Sequence, residues 1–549
     1  MLIQQQPHIC RRAEAHAGEA LGARKPYSAP MRTFNTAGPC VEGQHYMIEP
    51  LSRLPDAEAL VESGKFFVVH APRQTGKTTI LIALAKKLNA DGRVAAVYFN
   101  GESAKVAGDD FGAAERIIVD LIREQAPRQL PADLLPPGPP TDAPEGRFLG
   151  RFLSAWAEAC PRPIALLFDE IDSLVGMSLH TILRQLRTGY AERPAHFPSA
   201  ILLCGMKDVR DYQAAAGIEP ARLGTASPFN VKVESERIGD FTRAEVNELL
   251  DQHTTETGQA FTPEARDRLY ECCGGQPWLT NAIAREIIEK MAIRETVTVD
   301  HVDRARERLV LARATHLDSL LARLREERVR RVLMPIMAGD SLVLDTLDDD
   351  LIYLRDLGLI ARDNPVRIAN SIYREIIVRV LGSGAEANIT TPRQRFIAKD
   401  GRLDRAILLK EFMDFWIQHG EVLVEGHSYH EVAPQLVLMA YLHRVVNGGG
   451  FVDREYGIGR GRIDLLIRWP VPDGTWQREA FELKVWRDRK PDPLAKGLEQ
   501  LDEYLDGLGM ETGVLALFDR RKEAAEIEER TGLSEAVSPK GRRITVLRA

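Results

Sequence analysis

The stretch Phe66 to Leu81, FFVVHAPRQTGKTTIL, limits the folds open to this chain more than any other. Four apolar residues, Phe66 to Val69, make a candidate buried strand. A loop ending in Gly76-Lys77-Thr78-Thr79 follows, and an apolar period through Leu84 and Leu88 continues as helix. Strand, loop and helix in that order bring backbone N–H groups and a helix N-terminus to one point, which is a seat for phosphate. The expected nucleotide contacts are Ala71, Arg73, Gln74, Thr75, Gly76, Lys77, Thr78 and Thr79. Lys77 would reach the β- and γ-phosphates, and the Thr78 hydroxyl would hold Mg²⁺. The usual pattern is GxxxxGK[ST], and Ala71 stands where its first Gly would be. That change narrows the backbone choices at the loop's entry and removes no phosphate donor.

A second apolar run, Ile164 to Phe168, ends in Asp169-Glu170. Carboxylates at the edge of a core are costly unless paired or bound to metal. Behind a phosphate loop they read as a Walker B strand. Asp169 would hold Mg²⁺ through water, and Glu170 would orient and polarise the water that attacks the γ-phosphate of ATP. Ala200 to Cys204 is a further core strand. Lys207 or Arg210 beyond it would sense the γ-phosphate, or the segment is a solvated loop. Arg184, Arg187 and Arg193 offer a contact across a subunit interface, or a charged helix face. Between the motifs, Val94–Phe99 reads as strand, Ala113–Gln125 and Phe148–Cys160 as helices, and Pro127–Pro144 as a surface loop.

At 549 residues the chain should hold about three or four domains. A formal charge of −7 assigns any nucleic-acid contact to local basic patches and not to a global field. The six cysteines have no metal-ligand spacing and fit a reduced, cytoplasmic setting; no apolar run is long enough to cross a bilayer. Residues 1–31 lack a steady period and are expected as a disordered extension. The ATPase core is expected over 32–240; its Arg32–Pro50 segment, with Tyr46, lies where adenine is often held.

From Phe241 the strand pattern gives way to helices: Thr242–Gln252, Pro263–Cys273 and Pro277–Met291, within a helical lid over 241–325. Residues 326–382 pair two helical runs with Leu357–Ile360 and Val366–Ile368, a winged-helix pattern. In APRQTGKTT, LLFDEID, SPFNVKVE (from Ser227), GGQPWL (from Gly274) and NSIYREII (from Asn370), the chain resembles bacterial P-loop ATPases of the AAA+ and STAND-type clade. The resemblance implies an ATP-driven conformational switch and a possible homo-oligomer. In that clade the winged helix binds DNA, contacts a partner or packs on the ATPase.

A linker is expected over 383–400, and a separate α/β domain over 401–549. Glu431–Val446 reads as an amphipathic helix. Phe451–Tyr456 and Ile463–Ile467 flank the turn Gly457–Arg462 as a hairpin, and Ala480–Trp486 alternates as a strand. Asp464, Glu482 and Lys484 are then two carboxylates and an amine on neighbouring strands. Two such acids bind divalent cations, and the Lys activates water and stabilises charge on a phosphate. The alternative is a solvated Glu/Lys ion pair. Ile463-Asp464 with Glu482-Leu483-Lys484 resembles the PD-(D/E)XK nuclease family, here with ID in place of PD. The resemblance implies a restriction-endonuclease-like fold, a metal at Asp464 and Glu482, and an added catalytic acid at Glu431. It also implies a following helix carrying Gln500 and Tyr504. Arg454, Arg460, Arg462, Arg487 and Arg489 would contact DNA phosphates, or are solvated surface.

Together these features set the expectation: an α/β P-loop sheet with helical lid and winged helix, followed by a nuclease-like α/β domain. ATP and Mg²⁺ are the cofactors and nucleic acid, more readily DNA, is the partner. Defence against foreign DNA suits the pairing by analogy. The alternative is an ATP-dependent assembly switch whose last domain binds nucleic acid or protein without cutting.

Overall fold

The computed structural model describes residues 31–206, 234–312, 323–324, 326–337, 348–363, 366–386, 393–425, 433–446, 449–458 and 461–549. Lys207, Arg210, Glu431 and Arg460 lie outside them, as does SPFNVKVE up to Val233.

Phe66–His70 is strand β1, buried along its whole length. Around it run α1 (Ala57–Glu62), α2 (Lys77–Asp91), β2 (Ala95–Asn100), α3 (Phe111–Gln129), α4 (Phe148–Ala159), β3 (Ile164–Asp169), α5 (Gly176–Gly189), β4 (Ala200–Gly205) and β5 (Glu234–Arg237). The strands form a parallel five-stranded sheet in the order β2-β3-β4-β1-β5. Because side chains alternate across a strand, Phe66 and Val68 join the core under α3, α4 and α5, while Phe67 and Val69 join the core under α1 and α2. Sheets buried on both faces read as continuous apolar runs, which is why β1, β3 and β4 stand out in the sequence. Helix α3 passes through Pro127 to Gln129, so the proline-rich loop starts later than expected. The Gln129 side chain there holds both the N–H and the C=O of Tyr98, which ties the last turn to β2.

Next come α6 (Arg243–Thr257), α7 (Pro263–Cys273), α8 (Pro277–Arg285) and α9 (Val299–Leu311). Their starts are legible: Thr242 and Glu245 form a capping box, and α7 and α8 have Pro in the first turn. A π-helical turn, Glu286–Lys290, extends α8. Helices α10 (Glu327–Met337) and α11 (Asp349–Asp356), an antiparallel bridge Ile360–Ile368 and α12 (Ser371–Glu386) follow. The segment expected as linker from 383 is helical as far as Glu386.

The C-terminal part holds α13 (Arg405–Glu425), α14 (Ala433–Val446), β6 (Phe451–Ile458), β7 (Gly461–Pro470), β8 (Trp476–Trp486), α15 (Leu494–Leu508), β9 (Thr512–Asp519), α16 (Ile527–Arg530), β10 (Gly532–Val537) and β11 (Arg543–Arg548). Its six-stranded sheet is mixed, in the order β10-β11-β9-β8-β7-β6. Strands β6, β7 and β8 run antiparallel in turn, and β9 is parallel to β8. Leu498, Leu501, Leu505 and Leu508 of α15 pack on one face, against Leu466 and Ala480. The other face, with Leu465 and Phe481, belongs to a core that also takes in α14, α12, the helices from α6 to α9, and Tyr46. Helix α14 is not amphipathic as expected: it is buried nearly all round, because α12 and α13 cover the sides the sheet leaves open. No helix among the described residues is long and apolar enough to cross a membrane.

Candidate functional site

At the carboxyl end of β1 the chain turns through Ala71–Gly76 into α2. Gly76 has φ 90°, a left-handed value that favours glycine. Lys77 is buried, and its Nζ donates to the carbonyl oxygens of Ala71 and Pro72 at 3.0 Å each. Thr78 Oγ1 donates to Asp169 Oδ2 at 2.7 Å, and Tyr98 OH reaches the same oxygen at 3.2 Å. The two motifs therefore meet: the first turn of α2 and the end of β3 share one carboxylate. Arg73 and Gln74 are exposed at the loop's tip, Thr75 is buried with its hydroxyl on Pro72 O, and Thr79 accepts from the Cys40 N–H at 3.0 Å.

Glu170 sits at φ 56°, ψ 43°, a left-handed conformation uncommon for a glutamate. Outliers of this kind cluster at functional sites, since the surrounding structure has to hold them. Burial, then the neighbouring Asp172, raises the Glu170 carboxyl above its ordinary value, with Lys77 pulling the other way. Burial likewise raises Asp172, whose Oδ1 has no hydrogen-bond partner. A basic, partly desolvated carboxylate beside the loop suits proton abstraction from water.

Sequence reasoning missed the groups that close the loop from outside. Gln276, which precedes α8, donates from Nε2 to the carbonyl oxygens of Arg73 and Gln74, each at 3.4 Å. Arg53 donates to Thr75 O at 2.7 Å and lies over the Phe241 ring. Gly275 allows this approach, because a Cβ there would stand 1.9 Å from Phe241 O. A cavity of ≈ 130 Å³ runs from Gly76 and Thr79 to Tyr46, Trp278 and Asn281, so the Arg32–Pro50 segment does border the loop. Arg193 serves its own chain: it stacks over Tyr190 and Phe66 and donates to Gly64 O.

The second constellation lies on the C-terminal sheet. Leu465 pairs with Phe481, and the next residue on each strand is Asp464 and Glu482. Asp464 Oδ2 accepts from the Leu483 N–H at 2.7 Å. Lys484 Nζ donates to Glu482 Oε1 at 2.5 Å. By alternation Asp464, Glu482 and Lys484 share the face on which α15 packs, together with Leu466 and Ala480. Glu482 is 2% exposed, so it is no solvated ion pair. Burial and then Asp464 push its carboxyl up to about 8, against the pull of Lys484. Its Oε2 is buried with no partner, and so is Oε1 of Gln500 on α15. Among the described residues no group of three His, Cys, Asp or Glu side chains could hold a metal.

No protein-family model matches the chain, and no curated protein matches it. Solved structures do. The chain is similar to the Walker-type ATPase paby2304 of Pyrococcus abyssi, at 13% identity over 63% of this chain and 99% of that one, with a TM-score of 0.43. It is similar to the Aeropyrum pernix Orc1 protein in complex with DNA, at 15% identity over 63% and 94%, with a TM-score of 0.34. It is also similar to the Thermotoga maritima RuvB Holliday junction branch migration motor, at 13% identity over 59% and 92%, with a TM-score of 0.32.

Proposed function

We propose that this protein binds and hydrolyses ATP and uses the nucleotide state to control a metal-dependent nuclease carried by its C-terminal domain. The observation that carries the first half is the shared carboxylate: Thr78 and Asp169 converge at 2.7 Å beside a buried Lys77. Loop N–H groups and Lys77 take the phosphates, giving up the Ala71 and Pro72 carbonyls. Thr78 and Asp169 hold Mg²⁺, and Glu170 accepts the proton of the attacking water. When bound, Mg²⁺ neutralises charge on the phosphates.

For the second half the support is Glu482. A buried carboxylate with an orphaned oxygen, beside a second carboxylate and one lysine, lacks positive charge and suits a divalent cation. Mg²⁺ is commonly held by only one or two carboxylates and keeps waters, so Asp464 and Glu482 suffice. Lys484 orients the attacking water and steadies charge on the cleaved phosphodiester. The αβββαβ order of α14, β6, β7, β8, α15 and β9 supports the restriction-endonuclease-like reading, with Gln500 on the helix that packs on the same sheet face. DNA is the proposed substrate, with Arg454, Arg460, Arg462, Arg487 and Arg489 as phosphate contacts. The lid, winged-helix and nuclease boundaries given above stay with this proposal, as do the expected homo-oligomer and the role in defence.

In a second reading Glu482 is a buried carboxylate paired with Lys484, and the C-terminal domain binds nucleic acid or protein without cutting. One assay separates them: the full chain with linear and circular DNA, Mg²⁺ or Mn²⁺, with and without ATP. Cleavage that Asp464→Ala abolishes supports the nuclease. DNA retention without cutting under every condition supports the second reading.

A further inference from the structure

The C-terminal sheet ends in a strand with an open outer edge. Strand β10 stands last in the order β10-β11-β9-β8-β7-β6 and, among the described residues, pairs with β11 alone. The hairpin between the two is closed by a bond from the Ser538 N–H to Arg542 O at 2.9 Å, in the same register that sets Val537 opposite Arg543. Hydrogen-bonded pairs alternate with non-bonded pairs along an antiparallel ladder. Ala536, Ser534 and Gly532 therefore bond to β11, while Leu533, Glu535 and Val537 turn their N–H and C=O groups outward. Such a row of backbone donors and acceptors is a template for one more strand.

Natural edges are blunted by lysine, proline, a bulge or a covering element. The six residues Gly532–Val537 include no lysine, arginine or proline. The outward-turned residues carry Leu533 and Val537, 40% and 67% exposed, with the exposed Glu535 between them. Across the ladder, on the same face, stand Leu547, Thr545 and Arg543. Glu528 and Glu529, exposed in α16, lead into the strand. A second copy fits this edge badly. The self-pairing centred on Glu535 sets the two glutamates opposite each other, and like charges directly opposite are destabilising. A slip in register puts Leu533 or Val537 against Glu535 instead. The complementary strand is apolar, basic and apolar at alternate positions, so that its cation meets Glu535 and its apolar side chains cover Leu533 and Val537.

We propose that β10 is a docking edge for an extended segment of another protein, of apolar-x-basic-x-apolar pattern, which adds antiparallel to β10 as a seventh strand of the sheet. This goes beyond the ATP and nuclease readings and depends on neither, since β10 lies three strands from β8, which carries Glu482 and Lys484. The probe is a fluorescent peptide, acetyl-TVTKTVT-amide, titrated by polarisation into the full chain. Its Val and Lys amides face β10, and its two inner Thr amides face away. N-methylating the Val and Lys amides should weaken binding at least about tenfold, and N-methylating the inner Thr amides by less than about threefold. Replacing the peptide's Lys by Glu should weaken binding about three- to tenfold, and Glu535→Lys should reverse that preference. Val537→Pro removes an outward N–H and no bond to β11, so it should melt as the native chain does and lose the peptide. Binding that ignores which amides are methylated, or the charge of residue 535, overturns the proposal, as does no binding at about 1 mM peptide. The methylated series needs no variant to fold. Self-association of the full chain that Val537→Pro abolishes would give the edge to a second copy, and the proposal would fall.

Discussion

Arg306 on α9 donates from Nη1 to Asp453 Oδ1 on β6 at 2.7 Å, joining the helices that follow the parallel sheet to the first strand of the C-terminal sheet. Arg268 of α7 reaches the same oxygen at 2.8 Å, and Arg468 of β7 reaches Asp453 Oδ2 at 2.6 Å. Asp303 of α9 accepts from Arg268 and Arg468 in turn. Three guanidiniums and two carboxylates are thus buried together at a joint between two sheets of different kind. Charges out of water hold only while each has its partner, so this joint has little freedom to slide. Strand β7, which it grips, also carries Asp464; Gln276, next to α8, touches the phosphate loop.

Removing Asp453 should therefore be costly. Asp453→Ala leaves Arg268, Arg306 and Arg468 buried around a lost anion, and about 3–5 kcal/mol of stability should go with it. Denaturant unfolding of the full chain measures this. Burial pushes the Asp453 carboxyl up, but the three arginines outweigh burial and hold it well below its ordinary 3.8. A depressed carboxylate contributes stability that is complete above its unfolded value and is lost as pH falls below it. The native chain should thus weaken below about pH 4, with Asp453→Asn showing a shallower fall. Parallel acid profiles would remove this aspartate from the account.

Glu482 predicts the opposite sign. Its folded value, about 8, lies above the ordinary 4.5, so without a cation its contribution is complete below about 4.5 and declines as pH rises through 8. Glu482→Gln should flatten that decline. A divalent cation competes with the proton, so Mg²⁺ or Mn²⁺ binding should release protons and tighten as pH rises from 6 to about 8. Calorimetry in two buffers of different ionisation enthalpy counts those protons. A binding heat independent of buffer would mean that Glu482 is not a ligand.

How far the sequence reveals these sites depends on how local each one is. Lys77 and Thr78 follow a glycine in one turn, and Asp169 ends an apolar strand, so their pattern is written in neighbouring residues. Glu482 and Lys484 are two residues apart and legible as a pair, although only the packing of α15 turns that pair into a buried one. Asp453 has no local sign: its partners Arg268 and Arg306 are 185 and 147 residues away. The smooth stripe of α14 misleads because periodicity reports one apolar face and cannot tell how many neighbours will cover the others.

At the phosphate loop, Lys77→Ala should abolish measurable ATP binding, since it removes the one buried cation of the loop. Glu170→Gln should keep affinity within a few-fold and slow hydrolysis by roughly 10²- to 10⁴-fold, the usual range for loss of a general base. Calorimetry and phosphate release read the two separately. Unchanged turnover in Glu170→Gln would move the role of base to Asp172.

The last prediction concerns the joint as a carrier of the nucleotide state. If ATP controls cutting, it must bind two conformations unequally, and the difference has to reach Asp464 through contacts between the two parts. The ionic cluster is the most direct such contact, because α7 and α9 pack on each other and hold β6 and β7 together. Arg306→Met keeps the length of the side chain and leaves Asp453 with Arg268 and Arg468. ATP hydrolysis and metal-dependent cleavage without ATP should then stay within about twofold, while the ATP-dependent change in cleavage shrinks toward none. Asp464→Ala should remove cleavage in both backgrounds and leave hydrolysis intact, which identifies the cutting as the chain's own. A full ATP effect in Arg306→Met would shift the coupling to α12, which packs on α14 and whose Arg379 binds both carboxylate oxygens of Glu307 on α9 at 2.9 Å. Cleavage that is identical with and without ATP in the native chain would leave two independent activities, and the joint would be scaffold alone.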